Sequence, residues 1–341
     1  MKVVSDVRPA LASTFEVAGR FLLVDTSDEV TASSIRRFLS RWELSPVLPG
    51  IEVKTNATIV VRVGPAPPIP ADYEKFPLVD GATGFASDIA HQIVFADGSV
   101  LAADESTIVH LWLPKSLESD NPLLAQLVSH SLSAALRRSG VFELHSGAVT
   151  KPATSESILI CGPSGSGKST LTLQFMATGW SYLSDDVVLL SMEKEKVKAT
   201  GLRRFFALTR QTIEGSGLPE VSSLVGNGPT NDSGKRRLDA RELFPSGVVE
   251  ECRPNVIFFP MITADQASWT RELTPAETMS RLIRLCPWSC YDRAVAREFL
   301  DVLAKLVKQS VSFDLLAGND LMGDPHYTSN FLTAAVKART L

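Results

Sequence analysis

Residues 158–170 read Ile-Leu-Ile-Cys-Gly-Pro-Ser-Gly-Ser-Gly-Lys-Ser-Thr, an apolar run that breaks into glycines and then into residues that open a helix. From Gly162 to Ser169 they follow the G-x-x-x-x-G-K-[ST] pattern of a phosphate-binding loop, so strand, loop and helix must follow one another in that order. Gly162, Gly165 and Gly167 let the backbone turn tightly and leave no Cβ between its N–H groups and a phosphate, while the helix N-terminus adds a partial positive charge. Pro163, Ser164 and Ser166 fill free positions of the pattern, and Thr170 follows it into the helix. Lys168 offers a compact charge for β/γ phosphates, and Ser169 offers a hydroxyl for Mg2+, a hard cation that prefers oxygen. The bland alternative is a glycine-rich turn with no ligand, against which the flanking strand and helix argue.

With 341 residues, 44% of them hydrophobic, the chain can bury one substantial core and a smaller one. A net charge of −4 gives no overall basic field, so nucleic acid is not expected as a partner. The four cysteines, Cys161, Cys252, Cys286 and Cys290, do not space as a disulfide framework, and no His or Cys pair stands near Cys286 and Cys290 to complete a metal site. That usage suits a reducing compartment. The N-terminus lacks a basic-then-apolar leader pattern, and no apolar run approaches the ~20 residues that span a bilayer, so a cytoplasmic protein without membrane contact is expected. A homo-oligomer is left open.

Residues 1–115 read as a β-rich module with one helix: β-like runs at 21–24, 58–63, 92–95 and 107–113, a hairpin turn at Asp97-Gly98, and helical spacing of Ile35, Phe38, Leu39 and Trp42. No chemical motif lies there, and His91 and His110 read as ordinary histidines. A helix from Asn121 to the stop at Gly140 is expected to begin a second domain, 120–341. There, strands are expected at 142–149, 158–161, 187–190, 256–259 (ended by Pro260) and 311–315. Helices are expected at 169–178, from the capping box Thr274-Pro-Ala-Glu277 to about 285, at 292–307 and after Ser329. Residues 211–234, with five glycines, two prolines and little apolar periodicity, read as a loop, either a lid or a mobile surface segment. It ends in Lys235-Arg236-Arg237, a cationic cluster suited to phosphates.

Phosphate binding alone is not chemistry. Asp185 and Asp186, in Ser184-Asp-Asp-Val187 after the loop's helix, are the candidates to complete it: one can accept a hydroxyl proton while the other holds metal or orients a water. Adjacent side chains on a strand face opposite ways, so a shared role needs the pair at a frayed strand start. An Asp-Asp turn without function is the alternative.

Three elements in fixed order, Leu144-His145-Ser-Gly-Ala-Val149, the loop, and Ser184-Asp185-Asp186 with Asp185 following Lys168 by 17 residues, resemble the HPr kinase/phosphorylase superfamily. The kinase core of that family is similar to that of phosphoenolpyruvate carboxykinase. The resemblance spans about residues 121–320 and is densest from 144 to 190. It implies an α/β fold, a phosphoenolpyruvate carboxykinase-like P-loop kinase core with a mixed sheet, preceded here by a smaller β-rich α+β domain. It further implies ATP and Mg2+ as cofactors, Asp186 as proton acceptor with Asp185 beside it, Lys168 on the nucleotide phosphates, and Ser169 on the metal, with Asp185 a second candidate ligand. His145 matches a histidine near the transferred phosphate; on residue type alone it would read as a histidine at a strand end.

The chain also departs from the family. The segment Glu-x-x-Gly, which supplies a metal-ligating glutamate, would fall near Lys198-Ala-Thr-Gly201, which has no acid. A proline-glycine-arginine-asparagine signature is absent, and Cys252-Arg253-Pro254-Asn255 only echoes it. The pattern thus resembles the HPr kinase-related group, which includes serine kinases. The leading expectation is a kinase acting on a hydroxyl, a serine of a protein or peptide partner, with Arg236, Arg237 or Arg253 as candidate charge-neutralising groups. Two alternatives stand beside it: an ATP-binding regulatory protein without phosphotransfer, and a kinase of free serine or a sugar. An ABC-type ATPase is disfavoured because no Leu-Ser-Gly-Gly-Gln-like segment is present and the acidic pair follows the loop too soon.

Overall fold

The described residues of the computed structural model are 11–338 apart from 49, 79–80, 153, 155, 204 and 226–233. They form α/β structure with mixed sheets, divided into two units. No described helix is long and apolar enough to cross a membrane.

The first unit runs to Phe142 and takes in Trp288–Phe299. Its alternating sequences make β1 (Ser13–Val17), β2 (Arg20–Thr26), β3 (Ala57–Val63), β4 (Glu74–Pro77), β5 (Thr83–Ala86), β6 (His91–Val94), β7 (Val100–Ala103) and β8 (Ile108–Leu113). They form one sheet in the order β1-β2-β3-β8-β7-β6-β5-β4. Helix α1 (Glu29–Ser40) starts where Asp28 Oδ2 accepts from the Thr31 N–H at 2.8 Å, a side-chain cap. Helix α2 (Leu124–Arg137) buries Leu127, Val128, Leu132 and Ala135 against β2, β3, β7, β8 and α1. This helix was expected to open the second domain, with a boundary near residues 115–120. Its apolar stripe has its partner in the N-terminal sheet, and the division instead falls between Phe142 and Glu143.

Residues 288–299 join this unit through a buried ionic cluster. Asp292 accepts from Arg137 Nε at 2.9 Å and from Arg138 Nη1 and Nη2 at 3.0 and 2.9 Å, and lies 3.4 Å from His91 Nδ1. Arg137 also stacks on Trp288, 4.5 Å from the ring centre. Sequence spacing carries no sign of such a pairing.

The second unit, Glu143–Pro287 and the chain from Leu300 on, is built around β9 (Val141–Thr150), whose first two residues belong to the other unit, and β10 (Ser157–Cys161). Helix α3 (Lys168–Ala177) follows, then β11 (Ser181–Ser184), β12 (Val187–Glu193), β13 (Lys196–Gly201), β14 (Phe205–Leu208), α4 (Arg210–Gly215), α5 (Pro219–Val225), β15 (Arg236–Asp239) and α6 (Ala240–Leu243). The chain continues through β16 (Glu251–Cys252), β17 (Val256–Ile262), β18 (Trp269–Glu272), α7 (Pro275–Arg284), α8 (Arg293–Gln309, divided between the units after Phe299), β19 (Val311–Ala317) and α9 (Pro325–Lys337). The main sheet runs β16-β13-β12-β9-β10-β17-β19-β18, with β11 also paired to β9, while β14 and β15 make a separate hairpin. β10 lies antiparallel to β9 and parallel to β17, so the strand that feeds the glycine-rich loop is central and buried along its whole length.

Three expectations need correction. The segment 211–234 is not all loop: Thr209 caps α4, and Ile213 and Val221 tie α4 and α5 to the core; residues 226–233 lie outside the described residues. β17 does not stop at Pro260 but continues to Ile262, because its pairing with β10 ends at Phe258 and a residue without an N–H is tolerated where one neighbour is gone. The last helix starts at Pro325, capped by Asp324, four residues before Ser329.

Candidate functional site

The loop leaves β10 at Cys161 and returns at Lys168, the first residue of α3. Gly165 and Gly167 have φ of +83° and +96°, a left-handed backbone that favours glycine. At Gly162 a Cβ would lie 2.6 Å from Ser166 Oγ, so a larger residue there would have to turn the Ser166 hydroxyl aside. Because Gly167 is the N-cap, no capping side chain bonds to the first-turn N–H groups. Lys168 Nζ donates to the Gly162 and Pro163 carbonyls, both at 2.8 Å, which folds the ammonium across the loop. Burial lowers its pKa against the attraction of Asp186.

Asp185 and Asp186 occupy the bend between β11 and β12, where chain direction changes and neighbouring side chains are free to take different surroundings. Asp185 is buried: its Oδ2 accepts from Ser169 Oγ at 3.0 Å and from the Ala207 N–H at 3.3 Å. Burial, with the charge of Asp186 beside it, pushes its pKa up to about 6. Asp186 keeps 33% of its side chain exposed. Its Oδ1 is 3.2 Å from His145 Nδ1 and its Oδ2 takes Arg203 Nη1 at 3.1 Å. The Ser146 N–H holds the Asp186 carbonyl at 3.0 Å, which ties the bend to β9. Burial and the nearby Lys168 charge lower the pKa of His145, favouring the neutral ring.

These groups line one cleft of about 260 Å3, together with Ser164, Gly165, Ser166, Gly167 and Thr170. Gly162 and Pro163 sit behind Lys168 and contribute their carbonyls. Ser169 Oγ and Asp185 Oδ2, two hard oxygens in contact at the cleft wall, have the chemistry of Mg2+ ligands, and a cation would stabilise the ionised form that burial disfavours in Asp185. No group of three or more His, Cys, Asp or Glu side chains suited to a metal occurs among the described residues, so such a cation would complete its shell with water and phosphate oxygens.

Two cations that no phosphate-loop motif marks stand by the site. Arg203, which holds Asp186, follows β13 in the region where a glutamate was sought. Lys235 lines the cleft. Its position at the start of the basic run was the available signal. The other candidate cations lie elsewhere: the Arg237 guanidinium stacks 3.7 Å from the Phe205 ring centre, Arg236 pairs in register with Leu208, and Arg253 is bonded to Glu193. At the other departure, Lys198 pairs with Glu193 and Glu251, and Gly201 packs so close to Leu183 that a Cβ would meet its carbonyl oxygen at 2.3 Å. Cys161 is an inert core thiol, its pKa raised by burial to about 12.

No protein-family model matches the chain, and no curated protein matches it. Among solved structures it is similar to the HPr(Ser) kinase/phosphatase from Coxiella burnetii, at 15% identity and a TM-score of 0.23, over 38% of this chain and 72% of that chain.

Proposed function

We propose that this chain is an ATP- and Mg2+-dependent phosphotransferase with a P-loop kinase core, and that its acceptor is a hydroxyl, a serine on a protein or peptide. The observation that carries the reading is the chain of contacts Lys168–Ser169–Asp185–Asp186–His145 along one cleft wall, with Asp185 buried against the Ser169 hydroxyl and Asp186 open to the cleft. Loop amides and Lys168 hold the charge on the nucleotide phosphates. Ser169 and Asp185 would hold the cation, which would supply neutralisation of phosphate charge. Asp186 receives the hydroxyl proton, while His145 and Arg203 fix the direction of its carboxylate. A loose phosphoryl-transfer transition state asks chiefly for such positioning.

The test is transfer of label from ATP to candidate acceptors by the purified chain, with Lys168→Ala and Asp186→Asn alongside. Losses of about 100-fold or more are expected in both; full transfer by both variants overturns the assignment. The lack of an acid at Lys198–Gly201 favours a second reading, a nucleotide-binding regulator that transfers nothing. Calorimetric binding of ATP with no labelled product from any lysate protein would favour it.

A further inference from the structure

The basic run Lys235-Arg236-Arg237 leads into the hairpin of β14 and β15, and the pleat of that hairpin sorts its three charges. Arg236 pairs with Leu208 and Leu238 with Phe206, and Phe206, Leu208 and Leu238 all belong to the hydrophobic core. Alternation along a strand therefore places Arg236 on the core side and turns Lys235 and Arg237 to the other face. That face carries Ala207 and Thr209, which line the cleft together with Lys235. Arg237 stacks on Phe205, 3.7 Å from the ring centre. Lys235 is thus the charge of the run that the hairpin presents to the cleft.

The hairpin is fixed to the acidic bend, because the Ala207 N–H donates to Asp185 Oδ2 at 3.3 Å. Lys235 is half-buried. Burial is the largest cause of the pKa shifts at Lys168, His145 and Asp185, and the positive charge of Lys235 adds to each a pull toward the deprotonated form. Its ammonium therefore belongs to the end of the cleft where those three groups meet. Two ammonium groups brought to one cleft by separate elements, α3 and the hairpin, repel each other, and an anion that touches both removes that cost. The described residues hold no group of three or more His, Cys, Asp or Glu to gather metal charge at this place, so here the protein brings its own.

We infer that Lys235 is a second phosphate-binding lysine and a catalytic residue of this site, its ammonium holding oxygens of the terminal phosphoryl group while Lys168 spans the β and γ phosphates. The inference rests on the reading that the cleft takes ATP. In transfer, the acceptor hydroxyl oxygen bonds to the γ phosphorus as the bond from that phosphorus to the bridging oxygen breaks. The hydroxyl proton passes to Asp186, and ADP leaves with the electron pair of the broken bond. Lys235 exchanges no proton. It stays with the phosphoryl oxygens, over which charge is spread in a loose transition state.

Calorimetry on the full chain with Mg2+ decides, using a non-hydrolysable ATP analogue and ADP on wild type, Lys235→Met and Lys235→Arg. Lys235→Met is expected to bind the ATP analogue about tenfold more weakly and ADP as wild type does, with Lys235→Arg between the two. In label transfer its kcat should fall about 100-fold with the acceptor KM unchanged. An unchanged ratio of ATP-analogue to ADP affinity in Lys235→Met overturns the inference, and wild-type binding of both nucleotides then shows that the nucleotide reading survives it. Failure of wild type to bind either overturns both. If the variants do not fold, wild type alone still decides: acetylation of lysines by a small anhydride, mapped by mass spectrometry, should spare Lys235 with the ATP analogue bound and not with ADP, and equal labelling in the two states overturns the inference.

Discussion

Asp185 and Asp186 are identical in chemistry and adjacent in sequence, yet one is buried against Ser169 and the other reaches the cleft. That difference gives them unlike surroundings and has a measurable sign. The folded-state pKa of Asp185 is raised from 3.8 to about 6, so the folded state holds its proton more tightly than the unfolded chain. The associated stability is complete below about pH 4 and is lost as pH rises through 6, by about 3 kcal/mol. Urea denaturation with chelator present should show the wild type losing that stability relative to Asp185→Asn between pH 4 and 7. Adding Mg2+ at pH 7 should stabilise wild type and leave Asp185→Asn unmoved; equal stabilisation of both would remove Asp185 from the cation site.

The loop and the acidic pair were legible in the sequence because their chemistry depends on residues at fixed local spacing. Arg203 was not, since it meets Asp186 from the turn after β13 and no local pattern distinguishes it from a surface cation; for Lys235 the basic run was the available signal.

At the level of elements, the site depends on how closely β13 passes β11. Gly201 lies in van der Waals conflict with any added Cβ, because the obstacle is the Leu183 backbone carbonyl, which no rotamer change can move. Gly201→Ala should cost on the order of 2 kcal/mol in urea denaturation and should draw Arg203 away from Asp186. Unchanged stability in that variant would mean that β13 yields more easily than its packing suggests. The same scale explains the helices missed at 210–225. Their anchors, Ile213, Leu218 and Val221, are too few and too short-ranged to show a period, and packing against the core rather than intrinsic propensity makes them helical. The start of α9 had a legible sign in Asp324-Pro325, a cap followed by proline at the first helical position. The continuation of β17 through Pro260 had none, because it depends on where a neighbouring strand stops.

At the scale of the molecule, the first unit is completed by twelve residues, Trp288–Phe299, that follow most of the second in sequence. Asp292 within them answers two buried arginines. Asp292→Asn is therefore expected to cost about 3–5 kcal/mol, seen as a lowered midpoint of thermal unfolding. A loss below about 1 kcal/mol would show the cluster to be replaceable by ordinary packing. His91 adds a pH dependence of opposite sense to that of Asp185. Burial lowers its pKa below the usual 6.5, so its contribution is present above that pH and lost as pH falls through it. Acidification toward pH 5 should lower the unfolding midpoint in wild type and less so in His91→Gln. Long-range closure of this kind leaves no mark on local sequence, which is why the division of the chain was misplaced although most of the N-terminal strands were legible.

That arrangement also sets an order of events during synthesis. A chain emerging from the ribosome presents Arg137 and Arg138 long before their carboxylate has been made. The first-made unit must wait, incomplete, while the strands and helices that carry the cleft are translated, and it closes only after the chain has passed residue 299.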